Sequence, residues 1–345
     1  MASDRQDLCH DLQYGSHRKR LQALKSLQHP GVTIEAGPEL MAAISSCMTT
    51  AQADLRAMAV KTVGTLAEPG DQKYIDLVNE RLTDDHWSVR KAAVESCGRI
   101  ALKGDQHAVA AVGSMIRDSH AEVRSVALEV FAQLAGRGDR QHALASLNAC
   151  LEDWNPEVRR TTLLAFGALA RRGRMPLARR SSSMFVSKGA TQQVTPTERP
   201  RTPRDRAVLM HILPAITSRL DDVHPDVRRT AIEVLGQCSP TGDTETVDRL
   251  QLCLADRIWQ VRKAAVDVLS RLEDNEAKLE ATVGAMVSDG HPSVRKAASD
   301  ALCRQHTKIS SAGNRDSIGL GCCCLARGEA DGFSWSREET DVSFR

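Results

Sequence analysis

Aromatic residues make up only 3% of this 345-residue chain, although hydrophobic residues make up 41%. Any sizeable core must therefore be assembled from Ala, Val, Leu and Ile, side chains that let helices stack closely. No apolar run approaches the roughly eighteen residues of a membrane span, and the charged opening MASDRQDLCHD contains no apolar signal core. The expected setting is intracellular, the cytoplasm first and the nucleus second. The ten cysteines form no CxxC pair and no framework spacing, which argues against a disulfide scaffold or a zinc site. Cys97, Cys150, Cys238, Cys253 and Cys303 fall within helical patterns, where a reduced cysteine serves as a small hydrophobe. A Gly-rich phosphate loop, a G-x-S-x-G elbow and H-E-x-x-H are all missing. Ser, Cys and His are scattered without a justified pairing, so no catalytic residue, metal or cofactor is expected. Net charge is only +2, too little for a chain that coats nucleic acid along its length. Arg171 to Arg206 nevertheless carries ten Arg and Lys against two acids, net +8, leaving −6 for the rest.

What the chain does have is a repeat. The stretch Asp84 to Val94, DDHWSVRKAAV, returns with variations along its length. Arg90 has equivalents at Arg56, Arg124, Arg159, Arg228, Arg262 and Arg295, separated by steps of 34, 34, 35, 69, 34 and 33 residues. Six residues before each stands an Asp (Asp84, Asp118, Asp153, Asp222, Asp256, Asp289), with Thr50 as the exception. A fixed period of this size denotes a solenoid. In the unit around Arg90, Val89, Ala93, Cys97 and Ile100 recur at helical spacing. Gly104 ends that helix and Asp105 caps a second one, through Val109, Val112, Met115 and Ile116. Gly70-Asp71, Gly138-Asp139 and Gly242-Asp243 repeat this turn.

The prediction is all-α: a right-handed α-solenoid of about eight helical hairpins. A capping helix is expected over 1–14 and repeats over 15–173. A basic disordered insertion follows over 174–204, then repeats over 205–306 and a disordered tail over 307–345. Pro214, inside the helix that follows the insertion, is expected to kink it.

The pattern Asp-x-x-Pro-x-Val-Arg-x-x-Ala, seen in DVHPDVRRTAIEVLG, DGHPSVRKAASDAL, DDHWSVRKAAVESCG and ADRIWQVRKAAVDVL, resembles HEAT repeats of the short type described in phycobilisome lyases. That resemblance implies an armadillo-type fold and a scaffold or adaptor whose curved surface holds other proteins. Some such relatives are chromophore lyases, DNA-binding glycosylases or a dinuclear-iron hydroxylase. The hydroxylases use His-Glu pairs as iron ligands, and this chain has no His-Glu dipeptide.

The Asp and Arg row is the most regular polar feature. Arg90 near a helix start and Asp118 in the next unit's turn suit a charge-assisted ladder between layers. Asp84, Arg90, Asp118, Arg124, Asp153, Arg159, Asp222, Arg228, Asp256, Arg262, Asp289 and Arg295 are therefore read as structural. His86, His120, His224 and His291, with Asn155 in the same place, are expected at helix N-caps. Equivalent positions in successive layers stand too far apart to converge on one metal ion. Pro156, Pro225 and Pro292 follow at the first helical position, which suits proline. Trp87 and Trp259 share that position, and Trp154 lies two residues earlier in its unit. Packing over the neighbouring turn is the favoured role for them, and anchoring a partner is the alternative.

Function is expected from shape: a non-enzymatic scaffold binding protein partners through its second helices. Lys73, Asp76, Glu80, Gln106, Gln141, Asn148, Asp248 and Gln251 are the polar candidates for the binding face. Ser182, Thr195 and Thr202 in the basic insertion match kinase patterns, and phosphate there offsets positive charge. Cys322 to Cys324 are weak candidates for palmitoylation. Nucleic-acid binding is the alternative, supported by the basic segment and the pairs Arg90-Lys91, Arg262-Lys263 and Arg295-Lys296. A lyase-like chaperone of a tetrapyrrole protein is a third reading.

Overall fold

A computed structural model describes residues 2–28, 37–136, 140–171, 203–273 and 275–312. The chain divides into two compact units, Met1–Leu302 and Cys303–Arg345. The first holds the stack described here; the described part of the second is the end of the final helix.

Each layer of the stack is a helix pair. A leading helix α1 (Ala2–Tyr14) packs on α2 (His17–Leu27) and α3 (Pro38–Cys47), which form the first pair. The following pairs are α4 (Ala53–Leu66) with α5 (Gln72–Glu80), α6 (Trp87–Ile100) with α7 (Gln106–Met115), and α8 (Ala121–Leu134) with α9 (Arg140–Cys150). Then come α10 (Pro156–Arg171) with α11 (Pro203–Thr217), α12 (Pro225–Cys238) with α13 (Thr244–Leu252), and α14 (Trp259–Leu272) with α15 (Glu276–Val283). Last is α16 (Pro292–Ala312), which continues seven residues past the Gln305 at which its periodicity ends, so the tail boundary expected at 307 falls inside a helix. No Gly or Pro interrupts the chain there before Gly313. The end of the expected insertion also falls inside a helix, for Pro203 and Arg204 open α11; the rest of the insertion, the remaining tail and the Gly138-Asp139 turn lie outside the described residues.

The first helices carry the core. They pack in chain order from α4 to α14, and α5, α7, α9 and α11 each touch their own first helix and the next one. Accordingly α6 buries Val89, Ala92, Ala93, Val94, Ser96, Cys97 and Ile100, spread around most of its circumference, whereas α5 buries only Ile75 and Val78. Such closeness requires small side chains. Eight residues after the reference Arg, a Cβ on Gly236 would stand 2.5 Å from Val268 of the next layer, and one on Gly98 would stand 2.9 Å from Val130. Where that position is Ala132 or Ser270 instead of Gly, the residue at the Val position is Ala165 or Ala301. Bulk is exchanged across the contact, so the layer spacing is preserved.

The turn inside each pair does more than end a helix. Gly70, Gly104 and Gly242 have φ of 89°, 88° and 79°, which glycine adopts without a Cβ penalty. This lets their N–H groups reach across the stack to the last carbonyls of the next layer's first helix: Gly70 to Ile100 at 2.7 Å, Gly104 to Leu134 at 2.8 Å, and Gly242 to Leu272 at 2.8 Å. Asp71, Asp105 and Asp243 then cap the second helices. Pro214 lies inside α11. Cys47, Cys97, Cys150, Cys238 and Cys253 are buried, and burial pushes the Cys97 thiol up to about 12 and those of Cys150 and Cys253 to about 11. Cys303 departs from the expected role as a core filler, for it is exposed on α16.

Candidate functional site

The Asp and Arg row forms one continuous ladder along the edge where layers are joined. Six forks run from each layer to the next: Arg56 to Asp84, Arg90 to Asp118, Arg124 to Asp153, Arg159 to Asp222, Arg228 to Asp256 and Arg262 to Asp289. In each, Nε and Nη2 donate to the two carboxylate oxygens; for Arg90 the distances are 2.6 and 2.8 Å. The third nitrogen, Nη1, donates to two carbonyls of the Arg's own turn, as from Arg90 to Asp84 O at 2.9 Å and Asp85 O at 3.1 Å. Each carboxylate also accepts the N–H two residues on, as Asp118 does from His120 at 2.8 Å. One Asp thus closes its own turn and receives the previous layer's Arg.

Burial by itself would raise the pKa values of Asp84, Asp118, Asp222 and Asp256. The Arg fork, the backbone N–H and neighbouring positive charge outweigh it and hold these carboxyls below their ordinary range. At Asp289 the Arg262 fork is the main cause of the same lowering. The exception at Thr50 now has a reason. Its carbonyl serves Arg56 at 2.9 Å as an Asp carbonyl would, but the preceding unit has Gln22 in place of an Arg, so no guanidinium needs a carboxylate there.

His86, His120, His224 and His291 occupy the N-cap positions or the equivalent place, but their rings behave differently. His86 and His291 accept from the N–H two residues on. His120 and His224 make no such cap, and their Nδ1 atoms have no hydrogen-bond partner. Among the described residues no group of three or more His, Cys, Asp or Glu is placed to hold a metal ion. The indole of Trp87 lies on His120 of the next layer at 4.2 Å between centroids, and that of Trp259 lies on His291 at 3.9 Å. Trp154 remains 76% exposed, with the Arg124 guanidinium 5.7 Å from its ring. Its counterpart in the following layer, Val223, is 94% exposed. These stacking pairs join residues about thirty positions apart, and no local pattern announces them.

A cleft of 340 Å³ between two layers is lined by Thr217, Asp222, Arg228, Arg249, Leu252 and Asp256. The Asp and Arg residues at 222, 228 and 256 belong to the ladder. The Arg-Lys pairs are similarly engaged in part: Arg90 and Arg262 are ladder members, while Lys91 holds Glu122 at 2.8 Å and Lys263 holds Asp267 at 2.9 Å.

The second helices present a different surface. Lys73 and Glu80 on α5, His107 and Ser114 on α7, His211 and Ser218 at α11, and Glu245 and Leu252 on α13 are all exposed. In each helix the two lie seven residues apart and so share a face. Counted from the helix start, Gln141 and Asn148 on α9 take the same places, though only Asn148 is described as to its side chain, and it is exposed. Asp76, Gln106 and Asp248 are exposed as well, and Gln251 is half-buried. Ser182, Thr195 and Thr202 lie outside the described residues, as do Cys322 to Cys324.

A family model for HEAT repeats matches residues 38–132 and 213–303. Among solved structures, that of Kap95p bound to RanGDP is 13% identical with a TM-score of 0.57, over 87% of this chain and 39% of that one. A designed armadillo repeat protein is 16% identical with a TM-score of 0.38, over 76% of this chain and 98% of that one. No curated protein matches the sequence.

Proposed function

The chain belongs to the HEAT-repeat family, and on that premise we propose that it is a non-enzymatic scaffold or adaptor holding protein partners against its second helices. The observation that carries this reading is the exposed row running through α5, α7, α9, α11 and α13. It contributes nothing to the core and nothing to the Asp-Arg ladder. Its side chains differ from layer to layer, from Lys73 and Glu80 to His211, Glu245 and Leu252, where the ladder repeats almost unchanged. A surface that is free to vary while the frame stays fixed suits selection of a particular partner.

Phosphorylation of Ser182, Thr195 or Thr202 is proposed as a control on that binding, because each phosphate would remove about two of the segment's eight net positive charges. Nucleic-acid binding has weaker support, since Arg90 and Arg262 are committed to carboxylates.

The test is capture of partners from native extract by the wild-type chain and by a Lys73→Glu, His211→Glu, Leu252→Glu variant. The expected result is loss of specific partners with an unchanged melting temperature. Unchanged capture by that variant, with loss on Trp154→Ala and Val223→Ser instead, would move the site to the ladder edge. Duplex and single-stranded DNA belong in the same experiment; tight binding with a steep salt slope would favour nucleic acid.

A further inference from the structure

Arg295 is built like the other rungs of the ladder. Its Nη1 donates to Asp289 O at 2.8 Å and Gly290 O at 3.1 Å, the same clamp that holds Arg90 to its own turn. That clamp fixes the guanidinium plane and leaves Nε and Nη2 as its outer edge, the edge that grips a carboxylate in the six earlier rungs. Among the described residues no carboxylate meets it, and Arg295 is exposed where Arg124 is buried. Lys296 beside it is exposed too. Its counterpart Lys91 holds Glu122, while Arg90 holds Asp118 four residues earlier. Arg295 and Lys296 therefore match the receiving half of the two-point contact that Arg90 and Lys91 make with Asp118-x-x-x-Glu122, an Asp in the turn before a helix and a Glu in its first turn; in the pair Arg262-Lys263 the Lys turns instead to Asp267 on its own helix.

We propose that this end of the stack docks a partner protein through a helix that opens with Asp-x-x-x-Glu, its Asp seated in the fork of Arg295 and its Glu on Lys296. The fork geometry explains the preference for a carboxylate, because two parallel N–H donors match its two oxygens. The Asp also accepts the N–H two residues on, as Asp118 does from His120, which makes an ordered turn before a helix a better ligand than a free acidic tail. The ladder of a second copy offers no such start: its Asp residues are already held by the Arg of the layer before, and the first unit has Ser16 where the Asp would stand. The site is distinct from the second-helix row, so the two can fail separately.

The experiment uses the full chain and a fluorescein-labelled peptide copying residues 114–134, read by fluorescence anisotropy at low salt. Saturable binding is expected, weakened about tenfold or more by Arg295→Gln in the chain and equally by Asp118→Asn in the peptide. The melting temperature of Arg295→Gln should fall far less than that of Arg124→Gln, because only the bonds within its own turn are lost, which separates loss of the site from loss of the fold. The Lys73→Glu, His211→Glu, Leu252→Glu variant should bind the peptide normally. The proposal is overturned by absence of saturable binding, by equal binding to the Arg295→Gln chain, or by equal binding of the Asp118→Asn peptide. Light scattering that shows a dimer abolished by Arg295→Gln would also overturn it, since the occupant would then be a second copy.

Discussion

Arg124 shows how much one side chain contributes in this stack. It is buried, its fork holds Asp153 at 2.8 Å through both Nε and Nη2, and its Nη1 closes its own turn on Asp118 O and Ser119 O. Arg124→Gln leaves the Asp153 carboxylate without its guanidinium, and destabilisation of about 3–5 kcal/mol is expected, measured by urea unfolding. Arg124→Lys should recover only part of it, because an ammonium cannot fork. Arg295→Gln, which breaks no contact between layers, should cost far less. The ladder also sets the acid limit. Asp84, Asp118, Asp222, Asp256 and Asp289 have folded pKa values below the unfolded value. Their contribution is thus complete above the unfolded value of about 4 and is lost as pH falls through the lowered folded values. The urea midpoint should stay level from neutral pH to about 5 and drop below about 4, and Asp118→Asn should flatten that drop.

At the level of the helix, spacing between layers is governed by the smallest residues. In Gly236→Ala the new methyl would meet Val268 at 2.5 Å, and a loss of about 1–3 kcal/mol is expected from overpacking. Adding Val268→Ala should return most of it, a coupling that a double-mutant cycle in urea can read. Gly167→Ala, whose nearest neighbour Val234 lies at 3.1 Å, should be milder. Gly104→Ala tests a different property. Nothing stands within 4 Å of the added carbon, but φ is +88°, so about 1–2 kcal/mol of backbone strain is expected with no rescue by trimming neighbours.

Across the whole stack, coupling is between neighbours. From α4 to α14 each layer is tied to the next by an Arg fork on one edge and, where described, by a Gly N–H on the other. Arg124→Gln should therefore raise hydrogen exchange in α8 and α10 well before it does so in α4 or α14. Arg159 reaches Asp222 across 63 residues of sequence at 2.7 Å, as if the 31 residues between α10 and α11 were not there. Replacing those 31 residues with a four-residue turn like Glu68 to Asp71 should keep the helical circular dichroism. It should also stabilise the chain by about 2 kcal/mol through reduced loop-closure entropy. A cooperative melt lost on that replacement would show that the segment packs on the stack.

The primary structure alone determined the period, the helix pairs and the Asp-to-Arg register, because each depends on spacing along one chain. Arg90 and Asp118 could be paired on paper since the same offset recurs in layer after layer. The stacking of Trp87 on His120, the reach of Gly104 to Leu134 and the exposure of Trp154 beside Val223 were decided only by the tertiary structure. Each depends on the distance and rotation between layers, which small residues such as Gly98 and Gly236 adjust by a few ångströms and which no repeat length encodes. The edge of Arg295, which no carboxylate meets among the described residues, belongs to the same class: its letter is the same as that of every other rung, and only its neighbours in space set it apart.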